Sequence, residues 1–231
     1  MFTQLETQTL EYPESDGEPM AETGIHVTII TLFLTMLRTY FRRRDDVYVS
    51  ANMFLYYREG NPNKKLAPDL FVVFGVSSDE RRTWKNWEEG KAPDIIFEFT
   101  SKSTWDEDLG SKKGLYEWMG VKEYFLFDPL HEYLQPALQG FRLTPNGEHN
   151  PDGKYTPIPT GNMGELTSIQ LGLAFRMEGD ELRLFELETG EPLLPPLELA
   201  EVLEQETAAR QSLETELAQL KAELARLKGK E

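Results

Sequence analysis

The chain has 231 residues, a formal net charge of −16 and no cysteine. The lack of cysteine excludes disulfides, thiolate chemistry and cysteine-based zinc sites, and it fits a cytoplasmic protein. The acidic charge argues against broad, non-specific binding to a phosphate backbone, which depends on lysine and arginine contacts. The length suits one α/β domain of ordinary size with an appendage.

The N-terminal part predicts a flexible arm followed by a helix. Residues 1–20 are polar and acidic, contain turn-forming prolines and glycine, and carry no basic signal segment. Residues 21–43 place apolar side chains on one wide face, which predicts a buried helix that begins a folded domain at residues 21–192. Its apolar stretch is far shorter than the roughly 20 residues that cross a bilayer, so we expect no membrane span.

Two strand-like runs follow the helix. Residues 46–57 are rich in aromatic and β-branched side chains, and residues 69–74 form a second apolar run after a turn. We expect these two runs to pair as an antiparallel hairpin. The polar segment 77–91 mixes arginines with tryptophans, so it could stack on nucleic-acid bases or cover the sheet edge as a lid.

Residues 94–127 predict a strand, a helix and a second strand. The runs 94–99 and 123–127 are apolar and rich in β-branched and aromatic residues, and a helical segment at 108–119 joins them. Short connections of this kind predict two parallel strands with a right-handed crossover. Glu98 interrupts the first strand, where a carboxylate is costly to bury unless another group pairs with it.

Charged side chains around this strand–helix–strand unit suggest a site for a hard cation. Asp69 opens the preceding apolar run, and we expect it to lie near Glu98 at the ends of neighbouring strands. On the helix, Asp108, Lys112 and Tyr116 share one face because they follow each other at intervals of four residues. Two carboxylates with a nearby lysine predict a site for Mg²⁺ or Mn²⁺. Lys112 would position or activate a water, and Asp108 would hold the lysine.

Four segments of the chain are similar to those of one nuclease family. They read PDLFVVFG, PDIIFEFTSKST, DLGSKK with a tyrosine after two further residues, and GVKEYFLFDP. Together they resemble the Uma2 family of restriction-endonuclease-like proteins, in the PD-(D/E)XK nuclease superfamily, over residues 15–184. The resemblance implies a restriction-endonuclease-like mixed β-sheet core flanked by helices.

The resemblance also implies metal-binding roles. Asp69 matches the metal-binding aspartate of the family, and Glu98 matches the acidic residue of the (D/E)XK element. Glu22 on the first helix is a further candidate, although an acid near a helix N-terminus is also favoured by the helix dipole. His26 follows Glu22 by four residues and is typical of a capping or core histidine as well as of a functional one.

The chain departs from the family pattern two residues after Glu98. The family has a lysine at the position that Thr100 occupies here. Lys112 on the following helix is the best-matching substitute, ahead of Lys102 and Lys113.

The residues after the central unit predict further strands. A turn signal at residues 145–147 separates two of them, and no catalytic set of residues is visible in this part, so we expect it to complete the sheet. The strand-like runs are at residues 131–134, 140–143, 155–158, 166–171 and 182–185.

Residues 197–229 predict a C-terminal coiled-coil helix beyond a proline-rich boundary. Leucines follow alternating four- and three-residue steps, and Glu206 and Arg210 occupy two of the heptad positions, where they could fix register or partner choice. A homodimer or higher homo-oligomer is the expected assembly. A single helix folded back on the domain is the alternative. The leucines are Leu199, Leu203, Leu213, Leu217, Leu220, Leu224 and Leu227.

Two functions are compatible with these features. One is a divalent-metal-dependent endonuclease that hydrolyses DNA phosphodiester bonds, whose basic groove would come from limited clusters around residues 38–44, 81–85 and 102–113. These clusters are also typical of solvated faces. The other is a catalytically inactive nuclease-like fold that serves as an oligomerising or regulatory module. Thr100 and the acidic net charge favour the second function, whereas Glu98 favours the first.

Overall fold

A computed structural model describes residues 10–15, 23–144 and 153–228. The chain divides into two compact units, Met1–Leu193 and Leu194–Glu231. The first is a mixed α/β domain, and the second is a single long helix.

The first unit combines short helices with many strands. Its helices are α1 Gly24–Tyr40, α2 Asn86–Glu89, α3 Trp105–Glu107 and α4 Lys113–Met119, with a π-helical turn at Asp108–Lys112 between the last two. Its strands are β1 Val47–Ser50, β2 Leu55–Tyr56, β3 Lys65–Leu66, β4 Leu70–Phe74, β5 Trp84–Lys85, β6 Ile95–Phe99, β7 Glu123–Phe127, β8 Leu138–Thr144, β9 Lys154–Pro157, β10 Leu166–Ser168, β11 Leu173–Glu178 and β12 Glu181–Glu186.

Six strands form a mixed sheet in the order β1-β4-β6-β7-β8-β9. Strands β6 and β7 are parallel, which confirms the predicted parallel pair, and the other neighbours are antiparallel. The predicted pairing of the runs 46–57 and 69–74 is confirmed between β1 and β4. The first run breaks after Ser50, and β2 joins β3 and β5 in a separate small sheet. All side chains of β6 and β7 are buried, which explains why each strand is apolar except for one glutamate.

Two clusters of buried side chains cover the two faces of the central sheet, because successive side chains of a strand point to opposite faces. In one cluster, Phe33 of α1 packs against Phe99, with ring centroids 5.1 Å apart. In the other, Tyr116 of α4 packs against Tyr124 at 5.1 Å. Replacing a buried phenylalanine such as Phe33 by alanine lowers the free energy of unfolding by about 3–5 kcal/mol. Contacts of this kind therefore hold α1 and α4 on the sheet.

The C-terminal part of the first unit differs from the prediction in two ways. Strands β10, β11 and β12 form a separate three-stranded sheet and do not complete the central one. The run at 131–134 is a turn and not a strand. The Asp128 carboxylate accepts hydrogen bonds from the backbone N–H groups of Leu130, Tyr133 and Leu134, at 2.5 to 3.1 Å. These bonds compete with the ladder that a strand would need. The predicted turn at 145–147 lies outside the described residues.

Part of the predicted arm packs on the first unit. The Tyr12 ring lies 5.1 Å from the rings of both Tyr56 and Trp87, and the Pro13 carbonyl accepts a 2.5 Å hydrogen bond from the Tyr56 hydroxyl. Residues 1–9 and 16–20 of the arm lie outside the described residues.

The second unit consists of helix α5, Pro196–Lys228. Leu203, Leu213, Leu217, Leu220 and Leu224 are between 52% and 66% exposed in the single chain. A partner helix is not part of the structure, so the coiled coil stays a prediction. Among the helices of the described residues, none is both long and apolar enough to cross a membrane.

Candidate functional site

The acids of two neighbouring strands meet at one edge of the central sheet. Strands β4 and β6 pair with Leu70 opposite Phe97, and Asp69 and Glu98 lie one step further along that pairing. The Asp69 N–H is 3.4 Å from Glu98 Oε2, and Asp69 Oδ2 accepts a 2.7 Å hydrogen bond from the Phe99 N–H. The two acids are therefore adjacent, as the strand pattern predicts.

Glu98 is 1% exposed and has a partner on each carboxylate oxygen. Its Oε1 accepts a 2.5 Å hydrogen bond from the Tyr116 hydroxyl, and its Oε2 lies 3.1 Å from Lys112 Nζ. Burial and the neighbouring charge of Asp69 raise the pKa of Glu98 well above its ordinary value, although Lys112 opposes this rise. Both partners come from the helical segment that follows β6.

Lys112 connects Glu98 to a second buried acid, Asp108. Nζ lies 2.8 Å from Asp108 Oδ1, and Asp108 is 1% exposed. Within the described part of the chain, Asp108 Oδ2 has no hydrogen-bond partner of good geometry. Burial raises the pKa of Asp108, and Lys112 offsets part of this rise. The pair predicted from the four-residue spacing is thus an interior ion pair and not a surface one.

The segment that carries Asp108 and Lys112 widens into a π-helical turn. The Tyr124 hydroxyl donates a 2.9 Å hydrogen bond to the Asp108 carbonyl and so anchors the turn to β7. Single π-helical turns within helices are found frequently at functional sites. The turn is therefore a second feature, besides buried charge, that marks this region.

The charge state of Lys112 restricts what it can do. Burial lowers its pKa, but the carboxylates of Glu98 and Asp108 raise it more, so the pKa of Lys112 lies above the ordinary lysine value. Lys112 is therefore protonated at neutral pH in this arrangement. A protonated amine donates hydrogen bonds and cannot remove a proton. Of its two predicted roles, this charge state favours positioning a water over activating one.

His26 also reaches the site, although the sequence left its role open. It lies in the first turn of α1, where its N–H is 3.3 Å from Oγ1 of the N-cap residue Thr23. Its Nε2 is 3.1 Å from Asp69 Oδ2, with the two side chains only 10% and 13% exposed. No local pattern predicts this contact, because His26 and Asp69 are 43 residues apart.

The remaining candidates lie apart from the acids or outside the described residues. Lys102 is exposed, and Lys113 Nζ lies 3.5 Å from the centroid of the Phe141 ring. Thr100, at the position of the family lysine, is buried, and its Oγ1 has no hydrogen-bond partner among the described residues. Glu22 is not among the described residues. The structure thus brings four predicted site residues together and leaves both alternative lysines elsewhere.

Asp94, the acid of the other Pro-Asp pair, is held in a different way. Its carboxylate accepts a 2.8 Å hydrogen bond from the Phe74 N–H and pairs with Lys91 at 2.6 Å and Lys122 at 2.8 Å. Burial raises the pKa of Asp94, but Lys122 and Lys91 lower it more, so the pKa lies below its ordinary value. The two lysines balance the charge of Asp94, and its hydrogen bond to the Phe74 N–H joins the ends of two strands. Asp94 therefore has a structural role.

The segment 77–91 packs on the domain through its aromatic and basic side chains. Trp84 is buried and stacks on Tyr48 with ring centroids 5.7 Å apart. The Arg81 guanidinium lies 4.6 Å from the centroid of the Tyr48 ring and pairs with Glu89 at 2.7 Å. These contacts favour the lid interpretation over a base-stacking surface.

The donor chemistry at Asp69 and Glu98 fits a hard divalent cation. The charge of Asp69 raises the pKa of Glu98, and a cation bound between the two acids would relieve that repulsion. Oε1 of Glu98 has one partner, the Tyr116 hydroxyl, and retains a second lone pair for a ligand bond. Among the residues described, no three His, Asp or Glu side chains form a preassembled metal cluster.

Comparison with known proteins gives one family. Residues 1–218 match the family described as "Uma2: Putative restriction endonuclease". A solved structure from Anabaena variabilis, described as "a putative nuclease belonging to DUF820", shares 11% sequence identity and a TM-score of 0.45 over 65% of this chain and 75% of that chain. No curated protein matches. Because the family match spans most of the sequence, this chain belongs to the Uma2 family.

Proposed function

We propose that this protein is a divalent-metal-dependent endonuclease that hydrolyses DNA phosphodiester bonds on a restriction-endonuclease-like fold. Membership of the Uma2 family supports a nuclease. The observation that carries the proposal is the buried Glu98, in contact with Asp69 and Lys112. Buried ion pairs contribute little net stability, and clusters of shifted pKa values are typical of functional sites.

Each residue of the cluster has a distinct task in this proposal. Asp69 and Glu98 hold Mg²⁺ or Mn²⁺, and Tyr116 fixes Glu98 through its hydroxyl. When bound, the metal stabilises charge on the phosphate and lowers the pKa of a bound water. Lys112 donates hydrogen bonds that orient the attacking water, and Asp108 fixes the direction of Lys112.

DNA would be held by few backbone contacts. The net charge is −16, and basic residues of the predicted clusters already pair with acids, Arg44 with Asp46 and Arg81 with Glu89. Few lysine and arginine contacts give weak, mildly salt-dependent binding. We therefore expect DNA affinity to depend strongly on the divalent cation.

Nicking of supercoiled plasmid DNA tests the proposal. The purified protein is assayed with Mn²⁺, with Mg²⁺ and with chelator, beside Glu98→Ala, Asp69→Ala and the exposed-acid control Asp106→Ala. We expect metal-dependent nicking that falls by at least about 10²-fold in the first two variants and persists in the control. Nicking that survives Glu98→Ala would indicate another site or a contaminant. No nicking in any condition would contradict the proposal.

Helix α5 favours the alternative, a catalytically inactive nuclease-like fold that acts as an oligomerising or regulatory module. Five of its heptad leucines, from Leu203 to Leu224, are more than half exposed in the single chain. Metal binding separates the two functions. Calorimetry should show Mg²⁺ or Mn²⁺ binding that Asp69→Ala abolishes if the site works, and no binding if the fold is inactive.

In either case, we propose that α5 pairs with α5 of a second copy of this chain, parallel and in register. Leu217 and Leu220 lie in the heptad seam, and the flanking residues Glu216 and Lys221 are five residues apart. A parallel dimer brings Glu216 of one copy near Lys221 of the other, whereas an antiparallel dimer does not. Arg210, a polar seam residue, pairs with Glu214 of its own helix at 3.0 Å.

A further inference from the structure

The imidazole of His26 is the strongest feature that the proposed function leaves unused. Its Nε2 contacts Oδ2 of Asp69, the acid whose backbone N–H lies 3.4 Å from Glu98 Oε2. We propose that His26 is a third ligand of the divalent cation and makes the site prefer Mn²⁺ over Mg²⁺. This inference rests on the metal site of the proposed function and adds a nitrogen donor to its two carboxylates.

The spacing of the donors fits a shared ion. Ligand atoms bind an octahedral divalent cation at about 2.1 Å, so neighbouring ligand atoms are about 3 Å apart. His26 Nε2 and Asp69 Oδ2 are 3.1 Å apart. The Phe99 N–H occupies one lone pair of the same oxygen and leaves the other for a ligand bond. An ion could therefore replace the direct contact between His26 and Asp69 without a shift of α1 relative to β4.

Helix α1 holds His26 in place before any ion binds. The side chain of Thr23 caps the first turn at the His26 N–H. The imidazole packs edge-on to Phe99, with ring centroids 6.5 Å apart, and Phe33 of the same helix packs on Phe99. A metal-binding side chain that is already fixed on a packed helix loses little conformational entropy when the cation binds. Its contribution to the cation affinity is therefore largely retained.

The change of donor type accounts for the metal preference. Mg²⁺ favours oxygen ligands and keeps several waters, whereas imidazole nitrogen is a good ligand for transition metals. In the metal-bound protein, Nε2 offers its lone pair and Nδ1 carries the ring proton. We expect Mn²⁺ to bind at least about tenfold more tightly than Mg²⁺.

The competing role for His26 is that of a positioning residue. Its N–H would then donate to Asp69 and orient that carboxylate without touching the ion. Loss of such a role would weaken the binding of Mn²⁺ and of Mg²⁺ to the same degree. Glutamine keeps an N–H donor, so His26→Gln would preserve the role. The two roles therefore differ in the metal preference of the variants and in the atoms bound to Mn²⁺.

The test combines calorimetry with pulsed electron paramagnetic resonance of Mn²⁺ bound to the full chain. The variants are His26→Ala and His26→Gln, with His131→Asn as the matched control. His131 is exposed and has a φ of 57°, a conformation that asparagine tolerates. We expect imidazole nitrogen coupling to Mn²⁺ in the wild type and in the control. Both His26 variants should lose that coupling and about 10-fold or more of the Mn²⁺ affinity, with less than about 3-fold change for Mg²⁺.

Three results would overturn the inference. If Mn²⁺ binds and Asp69→Ala abolishes binding but the wild type shows no nitrogen coupling, His26 is not a ligand, and the proposed two-carboxylate site stands. If coupling persists in His26→Ala, the nitrogen belongs to another residue. If neither cation binds to the wild type, the metal site itself is wrong and the proposed function fails with this inference. The wild-type spectrum alone shows whether a nitrogen is bound to Mn²⁺, so a misfolded His26 variant does not obscure that answer.

Discussion

At the scale of single residues, Asp94 and Glu98 experience opposite electrostatic surroundings, although Glu98 lies in β6 and Asp94 directly precedes that strand. Two lysines lie against Asp94, and its pKa is lowered. Glu98 shares one lysine with Asp108, and its pKa is raised. A buried carboxylate that keeps a raised pKa destabilises the fold at neutral pH, so its presence requires a reason other than stability.

The raised pKa of Glu98 predicts how the stability of the metal-free protein depends on pH. The native state binds the Glu98 proton more strongly than the unfolded chain does, so this contribution is complete below the ordinary pKa of 4.5 and is lost as pH rises toward the raised pKa. Urea unfolding in chelator should therefore show the stability of the wild type falling, relative to Glu98→Gln, from about pH 4.5 upward. A difference that stays constant with pH would contradict the raised pKa.

Lys112 and its neighbour Lys113 form a matched pair for a second prediction. Lys112→Met leaves Glu98 and Asp108 without their counter-charge, so we expect a loss of about 3 kcal/mol in unfolding free energy and of about 10²-fold in nicking. Lys113→Met removes only a contact with the Phe141 ring, and it should cost under about 1 kcal/mol and preserve nicking. Urea unfolding and the plasmid assay measure both. Equal effects of the two variants would contradict the assignment of Lys112 as the residue that orients the attacking water.

At the scale of elements, the helical segment at 105–119 shows where local pattern and tertiary context differ. The four-residue spacing correctly predicts that Asp108, Lys112 and Tyr116 share a face. The spacing does not predict the π-helical turn or the start of the helix at Trp105. The turn depends on the Tyr124 hydroxyl from β7, which bonds the Asp108 carbonyl. A contact from another strand is not encoded in the segment itself.

Two glycines of this segment give a third prediction. Gly120 ends α4 with a φ of 81°, a left-handed conformation, whereas Gly114 lies inside the helix and an added Cβ would meet nothing within 4 Å. Gly120→Ala should lower the free energy of unfolding by about 1 kcal/mol because alanine is strained at positive φ. Gly114→Ala should stabilise by up to about 1 kcal/mol because alanine favours helix. Denaturant unfolding compares them, and a stabilising Gly120→Ala would contradict the predicted strain.

At the scale of the whole molecule, the exposed leucines of α5 support the proposed self-association. A chain that ends at Leu193 keeps the first unit and its core and lacks the leucine seam. Sedimentation should show a dimer for the full chain and a folded monomer for the shortened one. A shortened chain that remains dimeric would place the interface in the first unit.

Charge reversal tests the parallel register. Glu216→Lys places like charges opposite each other in a parallel dimer, so we expect weaker association at low salt. Adding Lys221→Glu should restore association, because the reversed pair is again complementary. Failure of the double variant to restore dimers would contradict parallel, in-register pairing.

The sequence by itself determined the central unit of this protein. Apolar runs and short connections predict the parallel pair β6 and β7, and the Pro-Asp motifs with the acidic strand residue place Asp69 and Glu98 on neighbouring strands. These features depend on local spacing, which a single sequence records. The match to the Uma2 family, over residues 1–218, includes these segments.

Only the tertiary structure decided which side chains meet across long separations. It brings His26 to Asp69, encloses Asp108 and Tyr116 with Glu98, and forms a separate sheet from β10 to β12. It also turns residues 131–134 into a loop, because the Asp128 carboxylate captures their backbone N–H groups. Such contacts are chosen by the packing of whole elements, since burial and hydrogen bonding between distant segments outweigh local preference.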